Sequence, residues 1–245
     1  MTTLHGEIPG SHGDHAHHDG SYLDRKGGMV STIIDWATTI DHKKIGVMYL
    51  VAVLTMFFIG GMAAMLIRYE LFEPVRIQAT GENIGQISGT ALADLFGQKD
   101  TSVAKADNIY NRVMTLHGAV MVFMFIVPGI PASLGNFLLP LMLGAKDVAF
   151  PRLNLASWYV YVFGSIFGIL AIVMGGVDTG WTFYTPYSSS HADPGHWRVV
   201  FMILAAFILG FSSIFTGLNF IVTVHKLRAP GLGWFDLPLF VWAMY

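Results

Sequence analysis

Four apolar stretches constrain this 245-residue chain more tightly than any other feature. They run from about Ile45 to Ile67, Val113 to Leu143, Leu155 to Val177 and Val199 to Val224. A membrane-crossing helix needs roughly 20 apolar residues at about 1.5 Å of rise each, and every stretch supplies them. In lipid the backbone must satisfy its own N–H and C=O groups, so helices are the expected form. A soluble fold would have to bury all four stretches, and a chain of this length has too little surrounding protein to do so. Composition agrees: 53% of residues are hydrophobic and 12% charged, against roughly 25% charged in soluble domains. The expected fold is therefore all-α, a polytopic transmembrane bundle of four complete helices and the start of a fifth near Leu237. From Asp236 to Tyr245 the chain offers only about 15 Å of helix against a hydrocarbon core of about 30 Å. The sequence thus reads as the N-terminal part of a longer bundle.

Residues 1–40 form a polar tail rich in histidine (His12, His15, His17 and His18). It lacks the short apolar core of a signal peptide, and its metal affinity would be incidental. Residues 41–245 form the membrane domain, interrupted by a polar extramembrane connection over about 69–111 that carries Glu70, Glu73, Glu82, Asp94, Asp100 and Asp107. There is no cysteine, which excludes disulfides and thiolate-bound clusters. A net charge of −2 gives no basic surface for nucleic acid. Arg25, Lys26, Lys43, Lys44, Lys146, Arg152, Lys226 and Arg228 fall on one side of the bundle. The other side holds Arg68, Arg76, Lys99, Lys105, Arg112 and Arg198. The short loops favour a cytoplasmic N-terminus.

Polar residues inside the apolar stretches are the functional candidates. His117 lies within the second, and neutral imidazole is a common axial ligand of haem iron. It could equally be bonded to a neighbouring helix. Gly118 beside it would let a flat macrocycle approach closely. Arg68 ends the first stretch on the same face, where its guanidinium could donate to a polar haem substituent or simply snorkel to the interface. The other histidines sit in the tail, at helix ends or in the loop at His191 and His196, so a second axial imidazole would have to come from beyond Tyr245. On the opposite face Asp147 occupies the turn between the second and third stretches, with Asn136 before it and Asn154 after it. Antiparallel helices leaving that turn would bring the two amides together above the carboxylate. Ser157, Ser212, Ser213 and Asn219 add polar groups at apolar depth. This arrangement suits a hydrated proton path, although hydroxyls also serve as packing glue between membrane helices.

The carrying stretches are Asp41-His42-Lys43-Lys44-Ile45-Gly46, Arg68-Tyr69-Glu70-Leu71 and Thr115-Leu116-His117-Gly118. The longest runs from Gly135-Asn136-Phe137-Leu138-Leu139-Pro140 through Lys146-Asp147-Val148-Ala149-Phe150-Pro151-Arg152-Leu153-Asn154. Gly180-Trp181-Thr182-Phe183-Tyr184, Ser212-Ser213-Ile214 with Asn219, and Arg228-Ala229-Pro230-Gly231 follow. In order and spacing, from about residue 38 to the end, they resemble the large subunit of haem-copper oxidases of the cytochrome c oxidase (aa3) type. The resemblance implies a longer bundle of about twelve helices, each satisfying its own backbone in lipid. It implies that His117 is an axial ligand of the low-spin haem, of type a, and that Arg68 bonds that haem's formyl group. Trp181 and Tyr184 would stand near the haem propionates, and Glu70 would serve a peripheral cation site, although the residues after it depart from the family's glycine-rich turn. Asp147 would open a proton path lined by Tyr49, Asn136, Asn154, Ser157, Ser212, Ser213 and Asn219. Lys146, Leu155 and Lys44 are further departures, and none removes a haem ligand or the acid at the mouth.

A second haem and copper would belong to the complete subunit, whose later segments carry the oxygen-reducing centre and are missing here. Partners would be other oxidase subunits including the copper-carrying second one, cytochrome c as donor, and membrane lipid, in the inner (plasma) membrane of a bacterium. The reaction would be electron transfer through haem to oxygen, coupled to proton uptake and pumping. A quinol oxidase of the same family shares these motifs. A non-catalytic cytochrome b would need two buried histidines, and a proton-coupled transporter would use Asp147 with His117 structural.

Overall fold

The computed structural model describes residues 28–72, 77–80, 83–87, 95, 103–190 and 197–245. His12, His15, His17, His18, His191, His196, Glu73, Glu82, Asp94 and Asp100 lie outside the described residues. Four helices long and apolar enough to span a membrane run over His42–Phe72, Ile109–Leu143, Pro151–Val173 and Trp197–Lys226. They form an all-α polytopic bundle. A short helix, Leu239–Met244, follows the last span after a 3-10 turn at Trp234–Asp236.

Each boundary has a local cause. Pro151 stands at the first helical position of the third span, where its missing N–H costs nothing. That span ends at Val173 rather than near Val177, because Gly175 and Gly176 adopt φ of +111° and +77°. These left-handed values turn the chain out of the helix. Gly144 closes the second span in the same way, at φ +67°. The second span departs from regular α-helix over two π-helical segments, Val120–Ile126 and Gly129–Gly135. Pro128 lies between them and Pro131 inside the second. Neither can donate an i→i−4 bond, and a wider turn relieves the ring's clash with the preceding carbonyl.

Two segments outside the long spans carry secondary structure of their own. The segment assigned to a polar tail contains a helix, Met29–Ala37, whose Met29, Val30, Ile33 and Ile34 are exposed on one side. It is shorter than a bilayer span, so a search for spanning blocks passes over it. Helix extends into both ends of the 69–111 connection, continuing to Phe72 and resuming at Val103. Between them Ile77–Thr80 and Asn83–Ile87 pair as an antiparallel hairpin, Ile77 opposite Ile87 and Thr80 opposite Asn83, with an irregularity between Gln78 and Ala79.

The third and fourth spans share an extended interface. Gly164 lets the fourth span approach, since a β-carbon there would sit 3.0 Å from Leu209 Cγ, and Gly168 makes room for the second span, since one there would sit 2.1 Å from Met124 Cε. Small residues four apart let membrane helices approach closely enough for dispersion and hydrogen bonding to hold them. The central core joins Ile45, Tyr49 and Met56 of the first span to Val120, Met124 and Ala132 of the second, with Tyr161 and Leu209 closing it.

Candidate functional site

The bundle places the candidate residues at two ends. At one end the first and second spans cross at Gly60, where a β-carbon would meet Met121 Sδ at 2.7 Å. This close crossing brings the Gly60 carbonyl to 2.9 Å from His117 Nδ1. The carbonyl can only accept, so Nδ1 carries the proton and the Nε2 lone pair is the one offered for coordination. A backbone acceptor on one ring nitrogen is the usual means of fixing a metal-binding imidazole, so His117 fits a haem ligand.

Arg68 is exposed, two turns along the first span from Gly60, or about 12 Å along the axis. Helical side chains lean toward the N-terminus, so its stem points back toward the His117 level. Glu70 is half-buried one turn from the helix end. The loop after the third span returns over the second. Thr115 Oγ1 accepts from Gly180 N at 2.8 Å, and Thr115 itself is buried. That bond seats Trp181 against Gly118, where a β-carbon would be 2.7 Å from Trp181 Cδ1. The space left by Gly118 is therefore filled by an indole, which also packs edge-on to Phe123. The expectation that Gly118 admits a macrocycle is corrected accordingly. Tyr184 is largely exposed on the same loop.

At the opposite end the two amides meet across the turn: Asn154 Nδ2 donates to Asn136 Oδ1 at 2.8 Å, and Asn136 Nδ2 donates to the Ala132 carbonyl. Both residues are fully buried, and among the described residues Asn154 Oδ1 has no hydrogen-bond partner. Ser157 Oγ donates to the Asn154 carbonyl at 2.7 Å, and Tyr49 OH donates to Ser157 Oγ at 3.1 Å. Ser212 Oγ lies 3.1 Å from the same phenol and donates to the Ser157 carbonyl at 2.8 Å. Tyr49, Asn136, Asn154, Ser157 and Ser212 thus form one connected polar file that draws on all four spans. Two candidates stand apart from it. Ser213 bonds back to its own helix at the Leu209 carbonyl. Asn219 is committed to the turn, accepting from Phe150 N at 2.8 Å and donating to Phe150 O at 3.2 Å. Thr223 Oγ1 extends that clamp by accepting from Ala149 N at 2.9 Å.

Asp147 caps the turn, its Oδ1 accepting from Val148 N at 2.7 Å. The residue that sequence reasoning missed is His42. It is buried, and its Nδ1 stands 2.9 Å from Asp147 Oδ1, an approach too bent for a hydrogen bond. Its only sequence signal is its place at the first position of a span, with Asp41 before it. His42 cannot complete a haem pair with His117, because it lies 18 residues from Gly60 on one helix, about 27 Å.

These features define a polytopic helical membrane protein with an imidazole presented at one end and an acid-and-amide file at the other. The family model for Cytochrome C and Quinol oxidase polypeptide I matches residues 44–245. The chain belongs to that family, the subunit I of haem-copper oxidases. Cytochrome c oxidase subunit 1 of Thermostichus vulcanus is 38% identical over 206 residues, covering 84% of this chain and 32% of that protein. Cytochrome c oxidase subunit 1 of Bacillus subtilis (strain 168) is 38% identical over 224 residues, covering 91% of this chain and 31% of that protein. The chain spans about a third of the length of the relatives it matches.

Proposed function

We propose that this chain forms the low-spin haem pocket and the proton entrance of the large subunit of a bacterial respiratory oxidase. The observation that carries the reading is the bond between His117 and the Gly60 carbonyl, which commits Nδ1 and leaves Nε2 to bind iron. Haem held there would supply a one-electron carrier. His117 orients it, Arg68 donates to its polar edge (a formyl if the haem is type a), and Trp181 and Tyr184 flank its outer rim. Glu70 is a weaker candidate for a peripheral cation. The remaining metal ligands would be contributed by the part of the relatives' length that this chain does not cover. Cytochrome c would be the donor, through a copper-carrying second subunit. The family description equally covers quinol as donor.

On the other face, assigned to the cytoplasm, Asp147 takes up a proton beside His42. Asn136, Asn154, Ser157, Tyr49 and Ser212 then carry it without ionising, by hydrogen-bonding to intervening water. The buried, unpartnered Asn154 Oδ1 supports this, because a buried acceptor with no protein donor is suited to a water. Ser213 borders the file, and Asn219 holds the turn that carries Asp147.

The test uses the complete oxidase. His117→Ala should remove the low-spin component from the reduced-minus-oxidised spectrum, while Asp147→Asn should suppress proton uptake and leave that spectrum intact. A His117→Ala enzyme with an unaltered spectrum would overturn the haem assignment. An Asp147→Asn enzyme with normal turnover and proton release would overturn the path.

A further inference from the structure

A cavity of about 480 Å³ lies between the second, third and fourth spans at the end opposite Asp147. Ile109, Val113 and Leu116 line it from the second span, Ile172 and Val177 from the third span and the turn beyond it, and Met202 from the fourth. Ile109, Val113 and Leu116 recur at helical spacing and share one face. His117 is not among the lining residues, and its imidazole turns to the Gly60 carbonyl of the first span.

Two cations converge at its rim. Arg112 lines the cavity. A β-carbon placed on Gly175 would lie 3.0 Å from Arg198 Nη1 and 3.9 Å from Arg112 Nη1, and one on Gly176 would lie 3.5 Å from Arg112 Cβ. The absence of side chains at both glycines is what lets the guanidiniums gather there, over a turn that itself requires left-handed φ. Among the described residues no ion pair holds Arg112. Two guanidiniums so placed concentrate positive charge and hydrogen-bond donors at the rim, which favours an anion there. The cavity below them is apolar and stands at the end of three membrane spans, at the depth where phospholipid headgroups pass into acyl chains. The ligand chemistry that matches both halves is an anionic head on an apolar tail.

We propose that this cavity is a binding site for an anionic phospholipid of the adjacent leaflet, its phosphate between Arg112 and Arg198 and one acyl chain among Val113, Ile172 and Met202. Guanidinium groups suit phosphate because they offer paired donors in a plane. The complete oxidase, stripped of lipid in neutral detergent, is titrated with dioleoylphosphatidylglycerol or dioleoylphosphatidylcholine, and bound lipid is counted by native mass spectrometry. One phosphatidylglycerol should bind well ahead of phosphatidylcholine. Arg112→Gln and Arg198→Gln should each weaken it about fivefold, the effect of one basic residue at an anionic membrane surface. Arg112→Lys should retain most of the affinity. Val113→Trp, which fills the cavity and leaves both charges, should also weaken it, and Arg152→Gln at the opposite end should not. Equal binding of the two lipids, or unchanged phosphatidylglycerol binding in both glutamine variants, would overturn the proposal. So would a cavity inaccessible to lipid because another part of the assembly covers it, seen as no specific lipid in the wild type.

Discussion

The asparagine pair predicts that a second mutation will repair the first. Asn136 makes two hydrogen bonds, accepting from Asn154 Nδ2 and donating to the Ala132 carbonyl. Asn154 makes one with its amide, because its Oδ1 is already unpartnered. Asn136→Leu therefore strands the whole Asn154 amide in a fully buried position, and a stranded buried amide costs about 1–3 kcal/mol. Asn154→Leu removes the amide that was half-unsatisfied and leaves Asn136 bonded to Ala132, so its cost should be nearer 1 kcal/mol, in line with membrane hydrogen bonds generally. In the double leucine variant no amide is stranded. It should be more stable than Asn136→Leu alone by about 1–2 kcal/mol. Unfolding of the purified subunit assembly by sodium dodecyl sulfate in mixed micelles measures all four corners of the cycle. The same series with alanine separates polarity from the added volume of leucine. A double variant destabilised by the sum of the two singles would refute the reasoning, because it would mean that the amides do not act as a pair.

Two further perturbations test the ends of the bundle. Gly118→Ala would place a methyl 2.7 Å from Trp181 Cδ1, and the indole is hemmed in by Phe123. Overpacking of about 1–3 kcal/mol should lower the thermal midpoint, and an unchanged midpoint would show that Trp181 is not seated there. Asn219→Ala would free the Phe150 N–H and leave its C=O only the bond from Asn154 N, and it should speed amide exchange at Phe150 by about an order of magnitude or more, with a stability loss of about 1–3 kcal/mol. Exchange at wild-type rates would show that the turn does not depend on the clamp.

The number and order of the spans were legible because lipid leaves a long apolar block almost no choice but helix. Their ends were less so. Hydropathy stops where side chains become polar, whereas the first span continues through Arg68 and Glu70 to Phe72, since a helix leaving the membrane has no reason to unwind at once. The third stops early because of backbone conformation at Gly175 and Gly176, which hydropathy does not register. The Asn136–Asn154 contact could be read from sequence because a short turn joins the two residues and forces their helices side by side. The approach of His42 to Asp147 could not, because no local rule links residues so far apart in the chain. Asn219 looked like a lining group by its depth, and only the structure shows both ends of its amide spent on Phe150.

Helical spacing on the third span carries the proton-path reading one step further. Residues 154, 157, 161 and 165 fall within about a third of the helix circumference. The first of these bonds Asn136, Ser157 bonds Tyr49, and the Tyr161 hydroxyl donates to the Met124 carbonyl at 2.9 Å. Ser165 is buried one turn beyond Tyr161, and among the described residues its hydroxyl has no partner apart from a contact with the Tyr161 hydroxyl. A hydroxyl stranded in an apolar interior is costly unless something polar reaches it. His42 Nδ1, Asn154 Oδ1 and Ser165 Oγ are thus unsatisfied buried atoms at three depths, beginning beside Asp147 and ending about 16 Å beyond Asn154 along the third span. Asn154 and Ser165 share one side of the third span, and His42 stands on the first span beside the acid, so the three mark anchor points that a file of water needs. Ser165→Ala should therefore slow proton uptake in the complete enzyme with little loss of stability. If Ser165 were only a packing residue, the alanine variant would take up protons at the wild-type rate.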